Sequence, residues 1–387
     1  MSAAPIVPDR TLPRINVMRP ELGPAEIAAV TEVINSGWVA QGPRVAAFET
    51  AFARTQHAAH AVATSSCTTA LQLGLIVAGV GAADEVVVPS FSFIATTNAV
   101  RYLGARPVFA DVDAGTGNLT AATIEPVLTP RTRAVIAVDQ GGVPVDLDAL
   151  RELCEPRGIV IIEDAACAAG SGYRGRPVGA TAELAAWSFH PRKIITTGEG
   201  GMITTRRQDW ADRSRKLREH AMSVSAADRH SSVLAPAEGY EEVGFNFRMT
   251  DLQAAVGLVQ LERLPGMITR RRELAAVYAR ELAGIDGLRP VTDPSYGSCN
   301  FQSYWVEVEP GFPLDRDELL VRLAEHGISA RRGIMAAHRQ PPYRQLFERP
   351  LPVTERLTDN TLILPLYHQL TESDQDRVIG ALVGAVR

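Results

Sequence analysis

Cysteine, charge of a single sign and long apolar runs are all scarce in this sequence, and each scarcity excludes a class of protein. The four cysteines (Cys67, Cys154, Cys167 and Cys299) show neither the CxxC pairing of a zinc site nor the density of a secreted disulfide scaffold. Charged residues make up 21% of the chain and the formal net charge is only -5, which gives no basic stripe and no acidic tail. We therefore expect no metal site and no nucleic-acid partner.

No apolar run reaches the length of a membrane-spanning helix, and residues 1–20 lack the continuous apolar core of a signal peptide. We therefore expect no membrane association. The cysteine usage suits a reducing compartment, so we expect a cytoplasmic protein. With 387 residues and 46% hydrophobic content, the chain exceeds the usual size of one hydrophobic core, which predicts a large domain and a smaller one.

Short β-branched runs recur at residues 85–89, 107–111, 134–138 and 159–163, separated by stretches with helical spacing. This alternation predicts an α/β fold, in which a mostly parallel sheet is covered by helices on both faces. Most of the runs end in an acidic or turn-forming residue, at the position where open α/β sheets place their ligand-binding loops.

The pattern changes at Thr250, a suitable N-cap for a long helix over residues 251–282. Beyond it, short strands such as 304–308 alternate with helices such as 315–326, which is typical of a smaller α+β layer. We therefore predict a large domain over residues 1–250 and a small C-terminal domain over 251–387. Residues 222–240 lack periodicity and predict a surface loop.

Two features of the large domain make chemical sense together. Asp164 follows the strand at 159–163, where a lone acid is equally well explained as a helix N-cap. Lys193 lies 29 residues later and precedes the glycine-rich run 198–201, although a lone lysine is usually a surface residue. In a pyridoxal phosphate (PLP) site, an aspartate protonates the pyridine nitrogen while a lysine condenses with the aldehyde. The pair therefore indicates such a site.

A place for the phosphate is visible upstream. Residues 64–70 read Thr-Ser-Ser-Cys-Thr-Thr-Ala and open a helical run over 71–78, and hydroxyl residues at a helix start favour an anion there. An ordinary Ser/Thr cap explains the same residues. Phe93, just after the strand at 85–89, offers an aromatic face for a pyridine ring, although core packing would explain it equally well.

Further motifs extend over nearly the whole chain in a specific order. They are Ser36-Gly37-Trp38 with Gln41-Gly42-Pro43, residues 65–71, Pro89-Ser90 with Phe93, Glu163-Asp164-Ala165-Ala166, Ser188-Phe189 with Lys193, residues 198–201, and Asn246-Phe247-Arg248-Met249 before residues 252–255. On these residues the chain resembles the DegT/DnrJ/EryC1/StrS family of PLP-dependent aminotransferases, which have the type I fold of aspartate aminotransferase. The resemblance implies action on nucleotide-linked keto sugars or, as in some members, on keto-inositols.

The resemblance also implies roles for individual residues. Lys193 matches the Schiff-base lysine and proton shuttle, and Asp164 matches the partner of the pyridinium nitrogen. Cys167 stands where many members carry a glutamine beside the cofactor's phenolic oxygen, and a thiol is a weaker donor. The other matching residues are Phe93 for ring stacking, Thr68, Thr69 and Ser188 for the phosphate, and Asn246 for the phosphate of the neighbouring subunit's cofactor. An active site shared across a homodimer follows from the last of these.

Three alternative functions fit the sequence less well. Residues 170–175 spell GxGxxG, but the motif lies beyond its strand and Arg176-Pro177 follows where a helix should begin, so a turn is predicted and a dehydrogenase rejected. A PLP-dependent sugar dehydratase of the same family would carry histidine at the position of Lys193, and His190 lies three residues too early. A non-catalytic PLP-binding regulatory protein would not need Lys193, Asp164 and Ser188 together.

The sequence therefore predicts a ping-pong transamination, with L-glutamate expected as donor from the habit of the family. The predicted acceptor is a nucleotide-linked 4-keto-6-deoxyhexose, with a C-3 keto sugar or a keto-inositol as alternatives. A nucleoside diphosphate requires cationic contacts, for which Arg331, Arg332 and Arg248 are candidates.

Overall fold

The computed structural model describes residues 13–224, 237–346 and 349–385, so most of the loop predicted at 222–240 lies outside the described residues. The strands are β1 (His60–Thr64), β2 (Glu85–Pro89), β3 (Arg106–Ala110), β4 (Thr132–Val138), β5 (Val160–Asp164), β6 (Gly172–Tyr173), β7 (Arg176–Pro177), β8 (Leu184–Ser188), β9 (Gly201–Thr205), β10 (Leu288–Pro290), β11 (Gly297–Ser298), β12 (Tyr304–Val308), β13 (Arg331–Arg332) and β14 (Thr361–Leu364). The helices are α1 (Pro24–Ser36), α2 (Pro43–Thr55), α3 (Cys67–Val77), α4 (Ile94–Tyr102), α5 (Ala121–Ile124), α6 (Leu147–Cys154), α7 (Gln208–Leu217), α8 (Asp251–Leu282), α9 (Arg316–Glu325), α10 (Pro352–Asn360) and α11 (Glu372–Val383). Short 3₁₀ helices lie at Glu125–Val127, Gln140–Gly142, Glu155–Arg157, Ala337–Arg339 and Arg344–Leu346.

A seven-stranded sheet in the order β1-β9-β8-β5-β4-β2-β3 forms the larger layer. Strand β9 is antiparallel to both of its neighbours, whereas the pairs from β8 through β5, β4 and β2 to β3 are parallel. The predicted mostly parallel sheet is thus confirmed, and the predicted strands differ from the observed ones by only one or two residues at their ends.

Helices cover both faces of this sheet because its strands are apolar on both sides. In β4, Val135 and Ala137 join one hydrophobic cluster, while Ala134 and Ile136 between them join the other. Successive side chains of a strand point to opposite faces, so one continuous apolar run supplies two cores. The C-terminal ends of the parallel strands, where Asp164 lies, are therefore left as the edge open to ligands.

Helix α8 begins where the sequence predicts. Thr250 Oγ1 accepts a hydrogen bond from Gln253 N at 3.2 Å, and Gln253 Oε1 accepts one from Thr250 N at 2.9 Å, which forms a capping box. The carboxylate of Asp251 accepts bonds from the backbone N–H groups of Gly42 and Val45 at 2.8 and 2.9 Å. The first residue of α8 thereby caps the N-terminus of α2 and fixes the two helices against each other.

Two smaller sheets complete the fold, one within the C-terminal part and one in which β11 pairs with the hairpin β6–β7 of the large part. A four-stranded antiparallel sheet has the order β10-β12-β14-β13, and a three-stranded sheet has the order β11-β6-β7. The GxGxxG string lies on the β6–β7 hairpin, where Arg174 and Gly175 have φ values of 47° and 77°, so the predicted turn is confirmed.

The division into domains at residue 250 remains a prediction. Within the described ranges, none of the helices combines the length and apolar character needed to cross a bilayer.

Candidate active site

The candidate site begins at the carboxyl end of β5, where the side chain of Asp164 is only 4% exposed. Its Oδ2 accepts a hydrogen bond from Thr96 Oγ1 at 2.9 Å, and its Oδ1 accepts one from Ala166 N at 3.3 Å. Burial raises the pKa of Asp164, and although the bonds from Thr96 and Ala166 and the charge of Lys193 lower it, the pKa stays above its ordinary value. A cationic partner placed close to this carboxyl group would therefore stabilise its ionised form.

Lys193 faces this carboxylate from a turn that follows β8. The turn is closed by a hydrogen bond from Lys193 N to His190 O at 2.8 Å. Its Nζ lies 3.0 Å from the sulfur of Cys167. Burial by itself lowers the pKa of Lys193, but Cys167, Cys67 and Asp164 together overcome this effect and hold the pKa above its ordinary value. The amine is thus surrounded by groups that favour its charged form.

The position of Cys167 is set by a residue far along the chain. Asn300 Nδ2 donates to the carbonyl oxygens of Cys167 and Ala169 at 2.7 and 2.9 Å. Ser171 Oγ accepts a bond from Asn300 N at 3.1 Å and donates to Gly142 O at 2.6 Å. The loop after β5 is therefore held by side-chain hydrogen bonds, so Cys167 is fixed relative to Lys193.

The N-terminus of α3 forms a second wall of the site. Ser66 is its N-cap, and Ser66 Oγ accepts a hydrogen bond from Thr69 N at 3.2 Å. Thr69 Oγ1 donates to Ser66 O at 2.8 Å, so its hydroxyl proton is committed to the cap. The first amides of the helix, at Cys67 and Thr68, have no acceptor within it and suit an anion. Thr68 is half-buried, and its hydroxyl makes no hydrogen bond to the parts of the chain that the structure describes.

Strand β9 brings Ser188 close to this helix terminus. In the sheet, Gly201 pairs with Thr64 on one side and with Ser188 on the other. A Cβ atom on Gly201 would lie 2.3 Å from the backbone carbon of Ser66 and 2.6 Å from Cys67 N. Only glycine therefore lets β9 pass so closely under the first turn of α3.

Two predicted residues lie at the surface of the chain. Phe93 occupies the N-cap position of α4 and is 63% exposed, so one face of its ring is free to stack on a planar group. Asn246 is exposed and makes a backbone bridge to Glu219, and within the described ranges its side chain has no partner. The structure places neither side chain in the cluster around Lys193.

A pair of buried acids lies behind the cluster. Glu163 precedes Asp164 and is 1% exposed, while Asp139 is fully buried and its backbone N–H donates to Asp164 O at 3.1 Å. Burial raises the pKa of Glu163 to about 7, although the charge of Arg151 opposes the change. Burial, and then the charge of Glu163, also raise the pKa of Asp139 well above its ordinary value. Both carboxyl groups therefore hold their protons more tightly than exposed acids do.

Of the predicted site residues, the structure brings Asp164, Cys167 and Lys193 together in one cluster. It adds Cys67, whose sulfur lies 3.9 Å from Asp164 Oδ1, and Thr96, both of which the sequence reasoning missed. Cys67 stands within the hydroxyl-rich segment 64–70 and could have been found there, whereas nothing in the sequence distinguishes Thr96. A buried carboxylate, a half-buried amine and a helix N-terminus can together bind a ligand that carries a basic ring nitrogen, a carbonyl carbon and a phosphate.

Comparisons with known proteins point to the same chemistry. The sequence model of the DegT/DnrJ/EryC1/StrS aminotransferase family matches residues 20–383. The aminotransferase TlmJ from Streptoalloteichus hindustanus is 39% identical with a TM-score of 0.87, over 96% of this chain and 98% of that chain. DesV from S. venezuelae is 34% identical with a TM-score of 0.89, over 97% and 100% of the two chains. DesI, solved in the presence of its TDP-sugar product, is 33% identical with a TM-score of 0.87, over 97% and 93%.

Proposed function

Because the chain belongs to the DegT/DnrJ/EryC1/StrS aminotransferase family, and is thus a PLP-dependent sugar aminotransferase, we propose that it moves an amino group from L-glutamate to a nucleotide-linked 4-keto-6-deoxyhexose. The observation that supports the transamination is a half-buried lysine whose Nζ lies 3.0 Å from Cys167 Sγ and whose pKa is raised in part by the charge of the buried Asp164. Lys193 is one of only two lysines in the chain, and the other, Lys216, is exposed on α7 and pairs with Glu241 at 3.3 Å. Lys216 is therefore no candidate for the same role.

The residues present fit PLP. Asp164 offers a buried carboxylate to the ring nitrogen, Lys193 an amine to the aldehyde, and the first turn of α3 a set of free N–H groups to the phosphate. The close passage of Gly201 under Ser66 keeps that turn clear of side-chain bulk. The remaining proposed contacts are Phe93 on the ring face, Cys167 near the phenolic oxygen, and Thr68, Thr69 and Ser188 at the phosphate. Since both the hydroxyl and the backbone N–H of Thr69 serve the helix cap, we assign the main phosphate contacts of this turn to the backbone N–H groups of Cys67 and Thr68.

Each side chain then has a defined task in the reaction. Bound PLP supplies an aldehyde that condenses with amines and a protonated ring that takes up the electron pair of the donor's Cα–H bond. Asp164 holds the proton on the ring nitrogen. Lys193 Nζ, as a free amine, takes the proton from Cα of L-glutamate and, in the second half reaction, delivers a proton to the sugar carbon that gains the amino group.

The positions of two arginines favour an amino-group acceptor that carries negative charge. Arg192 directly precedes Lys193, and burial together with the charge of Arg192 lowers the pKa of Arg331 on β13. Neither guanidinium has a hydrogen-bond or ion-pair partner among the described residues. Arg332, in contrast, is neutralised by two bonds of 3.1 Å to the carboxylate of Asp317. A pair of like charges beside the reactive lysine suits a diphosphate better than a neutral sugar or a keto-inositol.

The first experiment records the absorbance of the purified protein with PLP, before and after L-glutamate. Native protein should show the band of PLP joined to a lysine, and L-glutamate should convert it to the band of the aminated cofactor. Lys193→Ala should show neither change, while Lys216→Ala should behave as native. Loss of the band in Lys216→Ala, or its persistence in Lys193→Ala, would contradict the assignment of Lys193.

The acceptor is tested with thymidine diphosphate-linked 4-keto-6-deoxyglucose, its 3-keto isomer and a keto-inositol, with the amine product detected by mass. We expect turnover of the 4-keto sugar nucleotide. Arg331→Gln should raise KM for the sugar nucleotide by roughly 10-fold or more, because a charge-assisted contact to phosphate is lost, whereas Arg332→Gln should change it little. Turnover of the keto-inositol alone, with no effect of Arg331→Gln, would overturn the sugar-nucleotide part of the proposal.

The exposed position of Asn246 supports a homodimer in which each subunit completes the phosphate site of its partner. Mixing Lys193→Ala protein with Asn246→Ala protein tests this arrangement. In a mixed dimer, one site then combines an intact lysine with an intact asparagine, so activity should rise above that of either variant alone. Activity that stays at the level of Asn246→Ala would show that Asn246 acts within its own chain.

We also propose the cytoplasm as the location of the protein, because its cysteine usage suits a reducing compartment.

A further inference from the structure

The contact between Lys193 Nζ and Cys167 Sγ brings a nucleophilic nitrogen within 3.0 Å of an oxidisable sulfur. Both side chains are partly accessible, so a small solute can reach them. The hydrogen bonds of Asn300 to the Cys167 segment and of Lys193 N to His190 O hold the two backbones in place. The pair is thus aligned before any reaction takes place, which favours a bond between the two atoms.

We propose that Cys167 and Lys193 form a site of reversible oxidative cross-linking, in which hydrogen peroxide or another hydroperoxide joins the sulfur to the nitrogen whenever Lys193 is not bound to PLP. This inference goes beyond the aminotransferase reaction and does not depend on the identity of the sugar. The modified protein would be unable to bind PLP covalently until a thiol restores the amine.

The reaction balances in two steps. In the first, the sulfur of Cys167 attacks the peroxide, the O–O bond breaks, and a sulfenic acid forms while the hydroperoxide is reduced to an alcohol or water. In the second, the lone pair of Lys193 Nζ attacks the sulfur, an S–N bond forms, the S–O bond breaks, and the oxygen leaves as water with a proton from the amine. A dithiol reverses the bond by reducing S–N to the thiol and the amine while it is itself oxidised to a disulfide.

Oxidation of the sulfur favours the second step. Among the groups that keep the pKa of Lys193 high in opposition to burial, Cys167 contributes most. Conversion of Cys167 to a sulfenic acid removes that contribution, so burial then favours the neutral amine, which is the nucleophile.

Cys67 is the main competitor, since it lies in the same cluster and could form a disulfide with the oxidised Cys167. Its sulfur contacts Asp164 Oδ1 at 3.9 Å, and burial followed by the charge of Asp164 raises the pKa of the Cys67 thiol well above its ordinary value. A protonated thiol is a poor nucleophile, so the amine of Lys193 has the advantage.

The test treats the full chain with hydrogen peroxide, once freed of cofactor and once loaded with PLP, and measures intact mass and cross-linked peptides. We expect the cofactor-free protein to lose two hydrogens, to yield a peptide pair joining Cys167 to Lys193, and to regain both PLP binding and mass after dithiothreitol. The PLP-loaded protein should be protected. Cys67→Ser and the buried-cysteine control Cys299→Ser should still cross-link, whereas Cys167→Ser should not.

Each other product would overturn the proposal. A disulfide between Cys67 and Cys167 gives the same change in mass but a different peptide pair, and it should vanish in Cys67→Ser. Oxidation of Cys167 to sulfinic or sulfonic acid adds oxygen and is not reversed by dithiothreitol. An unchanged mass at a peroxide concentration that oxidises an exposed model thiol would show that the pair does not react.

Discussion

Replacing Glu163 with glutamine should remove a destabilisation of the folded protein that increases as the pH rises. Glu163 is 1% exposed at the end of β5, and its Oε2 has no hydrogen-bond partner among the described residues. Burial raises its pKa to about 7, against an ordinary value of 4.5. The folded protein therefore binds the proton of Glu163 more tightly than the unfolded chain does.

The sign of the effect follows from proton binding. Between pH 4.5 and about 7, the folded state holds more protons at this site than the unfolded state, so the free energy of unfolding falls as the pH rises through that window. A change from 4.5 to about 7 corresponds to about 3 kcal/mol. Glutamine cannot ionise, so the stability of Glu163→Gln relative to native protein should improve by about 3 kcal/mol across the window.

Urea unfolding of both proteins at pH 4.5, 6 and 8, followed by fluorescence, measures this difference. Working with the difference removes the contributions of shared groups that do not interact with Glu163. Glutamine also removes the charge that raises the pKa of Asp139, which changes the difference in the same direction. Glu152→Gln, at an exposed position on α6, is the matched control and should show no such trend. A constant difference between Glu163→Gln and native protein across the three pH values would refute the reasoning.

Three further changes test other parts of the site and the fold. Thr96→Val removes the donor 2.9 Å from Asp164 Oδ2 and should weaken PLP binding by roughly 10- to 100-fold in a titration, because a hydrogen bond to a charged group contributes about 1.5–3 kcal/mol. Replacement of the neighbouring buried Thr97 with valine should have little effect on binding. Gly201→Ala forces β9 away from the first turn of α3, so it should lower both the melting temperature and the affinity for PLP. Burial lowers the pKa of His338, which lies 2.6 Å from Ser90 Oγ, so the native protein should lose stability as the pH falls below 6.5; His338→Gln should lose less in urea unfolding at pH 5.5 against pH 7.5.

Local sequence patterns were sufficient to predict the sheet and the long helix. The β-branched runs of β2 and β4 are buried on both faces, and such runs differ clearly from the amphipathic helices between them. Thr250 and Gln253 form a capping box whose partners are three residues apart, so the start of α8 is readable from the chain itself. Each of these features depends on neighbours in sequence.

The partners of the site residues could not be predicted, because they depend on how distant segments meet. Thr96 reaches Asp164 across 68 residues, and Asn300 reaches Cys167 across 133 residues. Neither contact leaves a periodic trace in the sequence. Thr69 shows a different limit, since the motif that suggests phosphate binding also encodes a helix cap, and only the structure shows that its hydroxyl proton serves the cap.

The buried guanidinium of Arg271 connects helix α8 to the segments that carry Cys167 and Lys193. Arg271 lies within α8 and is 3% exposed, and its guanidinium donates to Phe301 O at 2.7 and 3.0 Å and to Gln302 O at 2.8 Å. The segment held in this way carries Asn300, which fixes the loop of Cys167, and Gln302, whose Nε2 donates to Arg192 O at 2.8 Å. The same few residues therefore position the sulfur beside Lys193 and the backbone of the arginine next to it. A shift of α8 would therefore displace the loop of Cys167 and the backbone of Arg192 together.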